Sequence, residues 1–410
     1  MSKARSALRA QDYIFSLLAG VICFFTALML SSLFFKQRVA DFSTLQEVAY
    51  YAHVMPEHPP LSNTNIARPD YRLYHRSRVQ GFFKRIRNGI QHIFAGSGIA
   101  LWSERTFTSL LQQVYEDASQ RGMNGNIICR MSPQPGERYV VWGDMQGAYH
   151  SLVRGLVRLY SLGILGEDLQ LRDEKTTIVF MGDAISRSAY GMEILSLMLA
   201  LLKKNPGKVV YLRGNHEDKK YWHPFGLKDQ LLIRLGEEKG KDAVKRVDAL
   251  FKMLPLALYC KIHSENNDFV RLSHLGWQRS KVLHEKWYEK FLIAQQGGRI
   301  DYHHIEKKEN AAEHGIEVSG VIRSEKKRDT FQSMDGIRLL PAERGATSWT
   351  LLSSPTTVTQ KGLKFFHDAF SIISVSEKKE AWTITLHNQD ATKLDGFSVR
   401  SYGFFSGQLL

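Results

Sequence analysis

The sequence predicts an α/β fold that follows an N-terminal transmembrane helix. Three short apolar runs, each typical of a buried strand, alternate with helical patterns, and a glycine followed by Asp or Asn stands shortly after each run. An uncharged stretch of 23 residues near the N-terminus predicts the membrane helix. The chain has 410 residues, of which 43% are hydrophobic and 23% charged, so its composition excludes a fully disordered chain and a small disulfide scaffold.

The uncharged stretch runs from Tyr13 to Phe35. A helix of this length reaches roughly 35 Å, enough to cross a hydrocarbon core of about 30 Å. A cleaved signal peptide is the alternative, but its apolar region should be shorter and should end in small residues. We therefore expect residues 1–38 to form a single-pass anchor. Three basic residues before the stretch and two after it leave the side of the membrane open.

The net charge of +14 is concentrated near the N-terminus, with about half of it in the first hundred residues. Basic residues crowd the region 68–87, namely Arg68, Arg72, Arg76, Arg78, Lys84, Arg85 and Arg87. Such a cluster suits contact with anionic lipid, and a solvated basic face is the alternative. We expect residues 39–100 to be a basic linker and helical segment, and we predict no specific nucleic-acid binding.

Each predicted strand of the α/β region leads into a group of polar residues. The three runs are Tyr139–Trp142, Thr177–Met181 and Lys208–Leu212, and they lead to Gly143-Asp144, Gly182-Asp183 and Gly214-Asn215-His216. The carboxyl ends of parallel strands meet at one edge of a sheet, so we expect these side chains to converge. Carboxylate, amide and imidazole groups bind divalent cations. One Gly-Asp pair usually marks only a turn, but three in series predict a site for two cations.

The order of these blocks resembles the metallophosphoesterases of the phosphoprotein phosphatase (calcineurin-like) superfamily, whose blocks read GDxHG, GDxxDRG and GNHE. The segments Met253–Leu258, Ser273–Gly276 and Leu351–Pro355 resemble later blocks of the same family. The resemblance covers about residues 100 to 380 and implies a sandwich of two mixed sheets flanked by helices. It places the catalytic domain at residues 101–390 and leaves residues 391–410 as a C-terminal tail.

The resemblance also implies roles for nine residues. It implies six metal ligands, with Asp183 bridging the two metals: Asp144, Gln146, Asp183, Asn215, His274 and Glu325. His216 would protonate the leaving oxygen, and Arg187 would clamp a phosphate oxygen with its planar guanidinium. Arg323 is a second candidate for phosphate binding.

Four positions depart from the family pattern. One is Thr357, which stands near the position of a tyrosine that borders the family's site. Gln146 and Glu325 stand where the family has histidines, which removes imidazole and adds oxygen ligands. This change favours Mn²⁺ or Mg²⁺ over Zn²⁺, with Fe still possible. Ser186 replaces the aspartate that orients the leaving-group histidine. The loss of such a partner typically costs about 10–100-fold, so we expect slower catalysis rather than none.

The function that this resemblance implies is a membrane-anchored dimetal phosphatase. It would hydrolyse phosphomonoesters of phosphorylated proteins or peptides, on Ser, Thr or Tyr, through a hydroxide that bridges the metals. One alternative is a nucleotide hydrolase similar to diadenosine tetraphosphatases, to which both Gln146 and Ser186 would be suited. The other is a catalytically inactive, membrane-tethered binding module.

Overall fold

The computed structural model describes residues 39–55, 57, 101–120, 128–186, 188–262, 268–274, 317–324, 337–343, 346–351, 353, 367–390 and 397–410. The strands of this part are β1 (Val39–Ala40), β2 (Leu101–Trp102), β3 (Ile128–Met131), β4 (Arg138–Trp142), β5 (Thr176–Phe180), β6 (Val209–Tyr211), β7 (Ala257–Lys261), β8 (Asp268–Ser273), β9 (Glu317–Arg323), β10 (Ile337–Glu343), β11 (Ala346–Leu351), β12 (His367–Ser374), β13 (Thr383–Asp390) and β14 (Ser398–Gly403). The helices are α1 (Leu45–Val54), α2 (Glu104–Gln120), α3 (Tyr149–Ser161), α4 (Gly191–Lys204), α5 (Lys219–Trp222), α6 (Leu227–Leu235) and α7 (Glu237–Met253).

Twelve of these strands form two six-stranded sheets, and β1 pairs with β2. Sheet I has the order β14-β13-β12-β4-β5-β6, and sheet II has the order β10-β11-β9-β8-β7-β3. Both sheets are mixed: β4, β5 and β6 are parallel in sheet I, and β8 runs parallel to β9 but antiparallel to β7 in sheet II. The predicted α/β sandwich of two mixed sheets is therefore confirmed.

The predicted strand–helix alternation is present in the centre of sheet I. β4 leads through α3 to β5, and β5 leads through α4 to β6. Parallel neighbours need such crossover connections, and the apolar residues of these strands are buried because helices cover one face and sheet II the other. This arrangement brings the carboxyl ends of β4, β5 and β6 to one edge.

Two apolar cores hold these layers together. The core between the sheets contains residues from both of them, including Val141, Val179, Leu258, Leu272 and Trp349. The second core lies on the other face of sheet I, where strand residues such as Trp142 and Phe180 pack with residues of α1 to α7. The helices thus pack against the outer face of the strands whose ends carry the predicted ligands.

The domain extends beyond the boundaries expected from sequence on both sides. The predicted linker and helical segment 39–100 contributes four residues to the helical core of the domain, namely Phe42, Leu45, Val48 and Tyr51. The predicted tail 391–410 contains β14, which pairs with β13. Apolar side chains of both segments, including the fully buried Phe404, are part of the two cores. Both segments therefore belong to the domain.

The predicted anchor at residues 13–35 and the basic region at residues 68–87 lie outside the described residues. Within the described ranges, none of the helices combines the length and apolar character that crossing a bilayer requires. The anchor and the lipid contact accordingly stay predictions from sequence.

The docking of α1 can be tested by truncating a core side chain. Leu45 is 5% exposed, and replacing a buried leucine by alanine costs about 2–5 kcal/mol. We expect Leu45→Ala to lower the free energy of unfolding by roughly 2–4 kcal/mol in urea denaturation. The exposed neighbour Gln46 is the control, because Gln46→Ala should stay within about 0.5 kcal/mol of wild type. Equal stabilities of the two variants would contradict the assignment of α1 to the domain core.

A buried histidine makes the stability of this domain depend on pH. His387 stacks on Phe370 at 4.8 Å, and burial together with the charge of Arg158 lowers its pKa from 6.5 to about 4. The unfolded chain protonates His387 more readily than the folded domain does. The stability that the neutral, buried imidazole contributes is therefore intact above pH 6.5 and is lost as the pH falls toward 4. We expect a loss of roughly 2–3 kcal/mol from this group across that window in urea denaturation.

The variant His387→Leu should flatten that part of the stability profile between pH 4 and 6.5. The exposed His53 provides the comparison, since His53→Leu should leave the profile unchanged. The same slope in wild type and His387→Leu would show that another group titrates.

Candidate metal centre

The loops that follow β4, β5 and β6 meet at one edge of sheet I, as the sequence predicts. Backbone hydrogen bonds join the first two loops: Met145 N and Gln146 N donate to Asp183 O at 3.2 and 2.8 Å. Gly147 N donates to Ala184 O at 2.7 Å. The end of sheet II contributes His274, which directly follows β8.

Asp144, Asp183 and His274 form the centre of the site. One ligand atom of each lies within 4.8 Å of the others, and all three residues are buried. His274 Nδ1 is 3.4 Å from Asp144 Oδ1, and His274 Nε2 is 3.4 Å from Asp183 Oδ2. Two buried carboxylates this close repel each other, and a divalent cation is the group that relieves such repulsion. The oxygen and nitrogen donors also suit such a cation.

Asn215 lies against both Asp183 and His274. Its side-chain amide is 2.9 Å from His274 Nε2. With the amide nitrogen facing the cluster, it also donates to both carboxylate oxygens of Asp183 at 3.2 Å. Rotation of the same amide would present its oxygen as a metal ligand. The structure therefore brings together Asp144, Asp183, Asn215 and His274.

Two glycines let these loops approach closely. Gly182 has a φ of +93°, and a Cβ there would lie 2.3 Å from Gly214 N. A Cβ on Gly214 would lie 2.3 Å from Asp183 Oδ1. The non-glycine residues Gln146, Asp183 and Ser186 also have positive φ values of 45°, 50° and 89°. Each such conformation costs about 1–3 kcal/mol, so the edge carries backbone strain where the ligands converge.

Glu217 connects the second and third loops. Its Oε2 accepts from Asp183 N at 2.9 Å and from Gly214 N at 2.7 Å. Its Oε1 accepts from Ala184 N at 3.0 Å and from the Tyr211 hydroxyl at 2.7 Å. Burial, and then the charge of Asp183, raises the pKa of Glu217. Glu217 acts on the site by positioning the Asp183 backbone, a role that sequence reasoning did not assign.

His216 stands beside the carboxylate of Asp183. Its backbone N donates to Asp183 Oδ1 at 2.7 Å, and its ring Nε2 is 3.8 Å from Asp183 Oδ2. The imidazole packs against the rings of Phe225 and Tyr221, at centroid distances of 5.2 and 5.5 Å and interplanar angles of 27° and 33°. Ser186, at the position of the missing aspartate, is fully buried, and within the described residues its hydroxyl makes no hydrogen bond. Aromatic packing thus restrains the His216 ring.

Two serines complete the wall of the site. Ser353 Oγ accepts from Gly143 N at 2.6 Å, and Ser353 N donates to Asp144 O at 3.3 Å. Ser324 Oγ is 2.9 Å from His274 Nδ1. The sequence offered a partial signal, because Ser353 falls in a segment that resembles a late family block and Ser324 precedes Glu325, which stands at a family histidine position.

The remaining predicted site residues have different outcomes. Gln146 reaches the site through its backbone, and its role as a side-chain ligand stays a prediction. Arg323 Nε donates to Thr350 Oγ1 at 3.1 Å, which gives this guanidinium a partner on the neighbouring strand β11. Arg187 and Glu325 lie outside the described residues, so their proposed phosphate and metal contacts stay predictions.

Cys260 is excluded as a nucleophile by its position. It is 1% exposed in the core between the sheets, and burial raises its pKa to about 12. A thiol with this pKa stays protonated near neutral pH, whereas nucleophilic attack needs the thiolate. Cys260 is therefore not a candidate nucleophile for the edge of sheet I.

Comparison with known proteins agrees with this geometry. Residues 137–403 match the calcineurin-like phosphoesterase family. Serine/threonine-protein phosphatase 7 of Arabidopsis thaliana is 32% identical over 144 residues, which is 35% of this chain and 31% of that protein. The chain thus spans about a third of that relative's length.

Two solved structures align with this chain at low identity. One is a protein serine/threonine phosphatase from Saccharomyces cerevisiae with similarity to human phosphatase PP5, with 18% identity, a TM-score of 0.45, and coverage of 78% of this chain and 95% of that one. The other is a cold-active protein-tyrosine phosphatase of a psychrophilic Shewanella species. Its identity is 13% and its TM-score 0.37, and the alignment covers 66% of this chain and 82% of that one.

The matched region contains the strand-end loops, Glu217 and His274, and its buried donors have the chemistry of a metal site. The chain belongs to the calcineurin-like phosphoesterase family.

Proposed function

We propose that this protein is a membrane-anchored phosphatase that removes phosphate from phosphorylated protein side chains with the help of two divalent cations. The observation that carries the proposal is the buried group of Asp144, Asp183 and His274, with Asn215 in contact and His216 alongside. Without a cation, this group would repel a phosphate dianion. The similarity to a serine/threonine phosphatase supports phosphoprotein substrates.

The residues at the edge of sheet I divide the work of hydrolysis. Asp144 would hold one cation with Gln146, Asn215 and His274 would hold the other, and Asp183 would contribute to both. When bound, the cations lower the pKa of an attacking water and offset phosphate charge. Glu217 keeps the Asp183 backbone in place, and Arg187 would bind a phosphate oxygen. His216 would donate a proton to the leaving oxygen.

Oxygen-rich ligands define the proposed metal preference. Gln146 and Glu325 at histidine positions favour Mn²⁺ or Mg²⁺ over Zn²⁺. The membrane part of the proposal rests on the apolar stretch 13–35, and contact with anionic lipid rests on the basic region 68–87.

Removing the shared carboxylate provides the first test. Asp183→Asn should lower kcat/KM for Mn²⁺-dependent hydrolysis of p-nitrophenyl phosphate by roughly 10³-fold or more, because the amide cannot hold two cations as a charged bridge. Asp242→Asn is the matched control at an exposed position and should keep wild-type activity. Full activity of a clean Asp183→Asn preparation would refute the assignment.

The role of His216 can be tested with two leaving groups. A serine alkoxide needs a proton as it departs, whereas p-nitrophenolate leaves readily without one. We expect His216→Asn to lose about 10²–10⁴-fold in kcat on a phosphoserine peptide and much less on p-nitrophenyl phosphate. Equal losses on the two substrates would show that His216 does not act as the proton donor.

A nucleotide hydrolase is the second candidate, because Gln146 and Ser186 stand at the two positions that favour it. A panel of phosphoserine, phosphothreonine and phosphotyrosine peptides against diadenosine tetraphosphate separates the two functions. Preference for the nucleotide would replace the phosphoprotein assignment. Elemental analysis addresses the inactive-module alternative, because two equivalents of bound metal would argue for an enzyme.

A further inference from the structure

His274 and Ser324 are held side by side by two neighbouring parallel strands. Ser273 at the end of β8 pairs with Arg323 at the end of β9, so the next residues of the two strands emerge together. Ser324 N donates to His274 O at 3.3 Å, and Ser324 Oγ lies 2.9 Å from His274 Nδ1. Ser324 is 0% exposed and His274 is 1% exposed, so water does not compete for this contact.

The opposite ring nitrogen faces the metal ligands. His274 Nε2 is 2.9 Å from the Asn215 amide and 3.4 Å from Asp183 Oδ2. A neutral imidazole carries its proton on one nitrogen and a lone pair on the other. When the Asn215 amide nitrogen is directed at His274 Nε2, Nε2 accepts a hydrogen bond from the amide. The proton of the neutral ring then lies on Nδ1.

The serine hydroxyl is better placed than the nearby carboxylate to accept the Nδ1 proton. The Nδ1–Ser324 Oγ distance of 2.9 Å is that of a normal hydrogen bond, whereas the Nδ1–Asp144 Oδ1 distance of 3.4 Å is longer than one. The Nδ1 proton is therefore assigned to Ser324 rather than to Asp144.

We propose that Ser324 is a positioning residue that accepts the Nδ1 proton of His274 and thereby keeps the Nε2 lone pair directed toward Asp183 and Asn215, the residues that would hold a divalent cation with His274. The inference rests on the proposed function and deepens it. A partner on the far nitrogen fixes the tautomer and orientation of a ligating histidine, and its loss typically weakens metal affinity about 10–100-fold. Ser324→Ala should weaken Mn²⁺ binding by that factor.

Ser348 provides a matched control for the substitution. It lies on β11, where it pairs with Val321 of β9, and it is also 0% exposed. Within the described part of the chain, its hydroxyl has no hydrogen-bond partner. Ser348→Ala removes the same atom from a similarly buried site and should leave Mn²⁺ affinity unchanged.

The first measurement is calorimetric titration of the metal-free full-length chain with Mn²⁺, in wild type, Ser324→Ala and Ser348→Ala. Circular dichroism checks that all three are folded. The expected result is binding about 10–100-fold weaker in Ser324→Ala alone. Affinities within about twofold in all three would overturn the positioning role while leaving the phosphatase proposal intact. Absence of Mn²⁺ binding in the wild type would overturn the function and this inference together.

The second measurement reads the tautomer in the metal-free protein. Nitrogen-15 NMR of histidine-labelled protein, with the His274→Gln variant used to assign the ring, should show the proton of wild-type His274 on Nδ1. Ser324→Ala should lose this single tautomer, and Ser348→Ala should keep it. A proton on Nε2 in the wild type would overturn the proposal independently of any metal titration.

Discussion

The electrostatic repulsion between Asp144 and Asp183 is the constraint on which the site depends. Both carboxylates are buried, and they approach each other and His274 within 4.8 Å. Burying like charges together is costly unless donors or a cation compensate them. The His216 backbone N donates to Asp183, and the Asn215 amide donates to it when its nitrogen faces the cluster. These neutral groups satisfy hydrogen bonds but leave the charge in place, which is why the pocket attracts a divalent cation.

The side chains of the site come from the ends of several strands rather than from one continuous segment. Three parallel strands of sheet I and the neighbouring β8 and β9 of sheet II end beside one another, and helices cover the outer face of sheet I. Glu217 then joins two of the loops through three backbone N–H groups. Because its acceptors are occupied by neighbouring loops, Glu217 fixes the relative positions of Asp183 and Gly214.

The sequence predicted which residues that follow regular strands come together at the sheet edge, and it did not predict the interactions that connect distant loops. Asp144, Asp183, Asn215 and His274 could be placed because each stands in a recognisable strand-end block. The hydrogen bonds of Ser324 and Ser353 depend on which strands become neighbours, which no local pattern specifies. The docking of α1 had a signal in the three-residue spacing of Phe42, Leu45, Val48 and Tyr51, but the preceding apolar stretch and the following prolines favoured a linker interpretation.

Phe42 already lies in the core of the domain, and this limits how far the domain can lie from the proposed anchor. Only residues 36–41 separate the apolar stretch from this core residue, and six residues of fully extended chain reach about 20 Å. If the stretch crosses a bilayer, this short tether keeps the enzyme next to the lipid headgroups. Its encounters would then depend on diffusion within the membrane plane, which favours targets that are themselves confined to that surface.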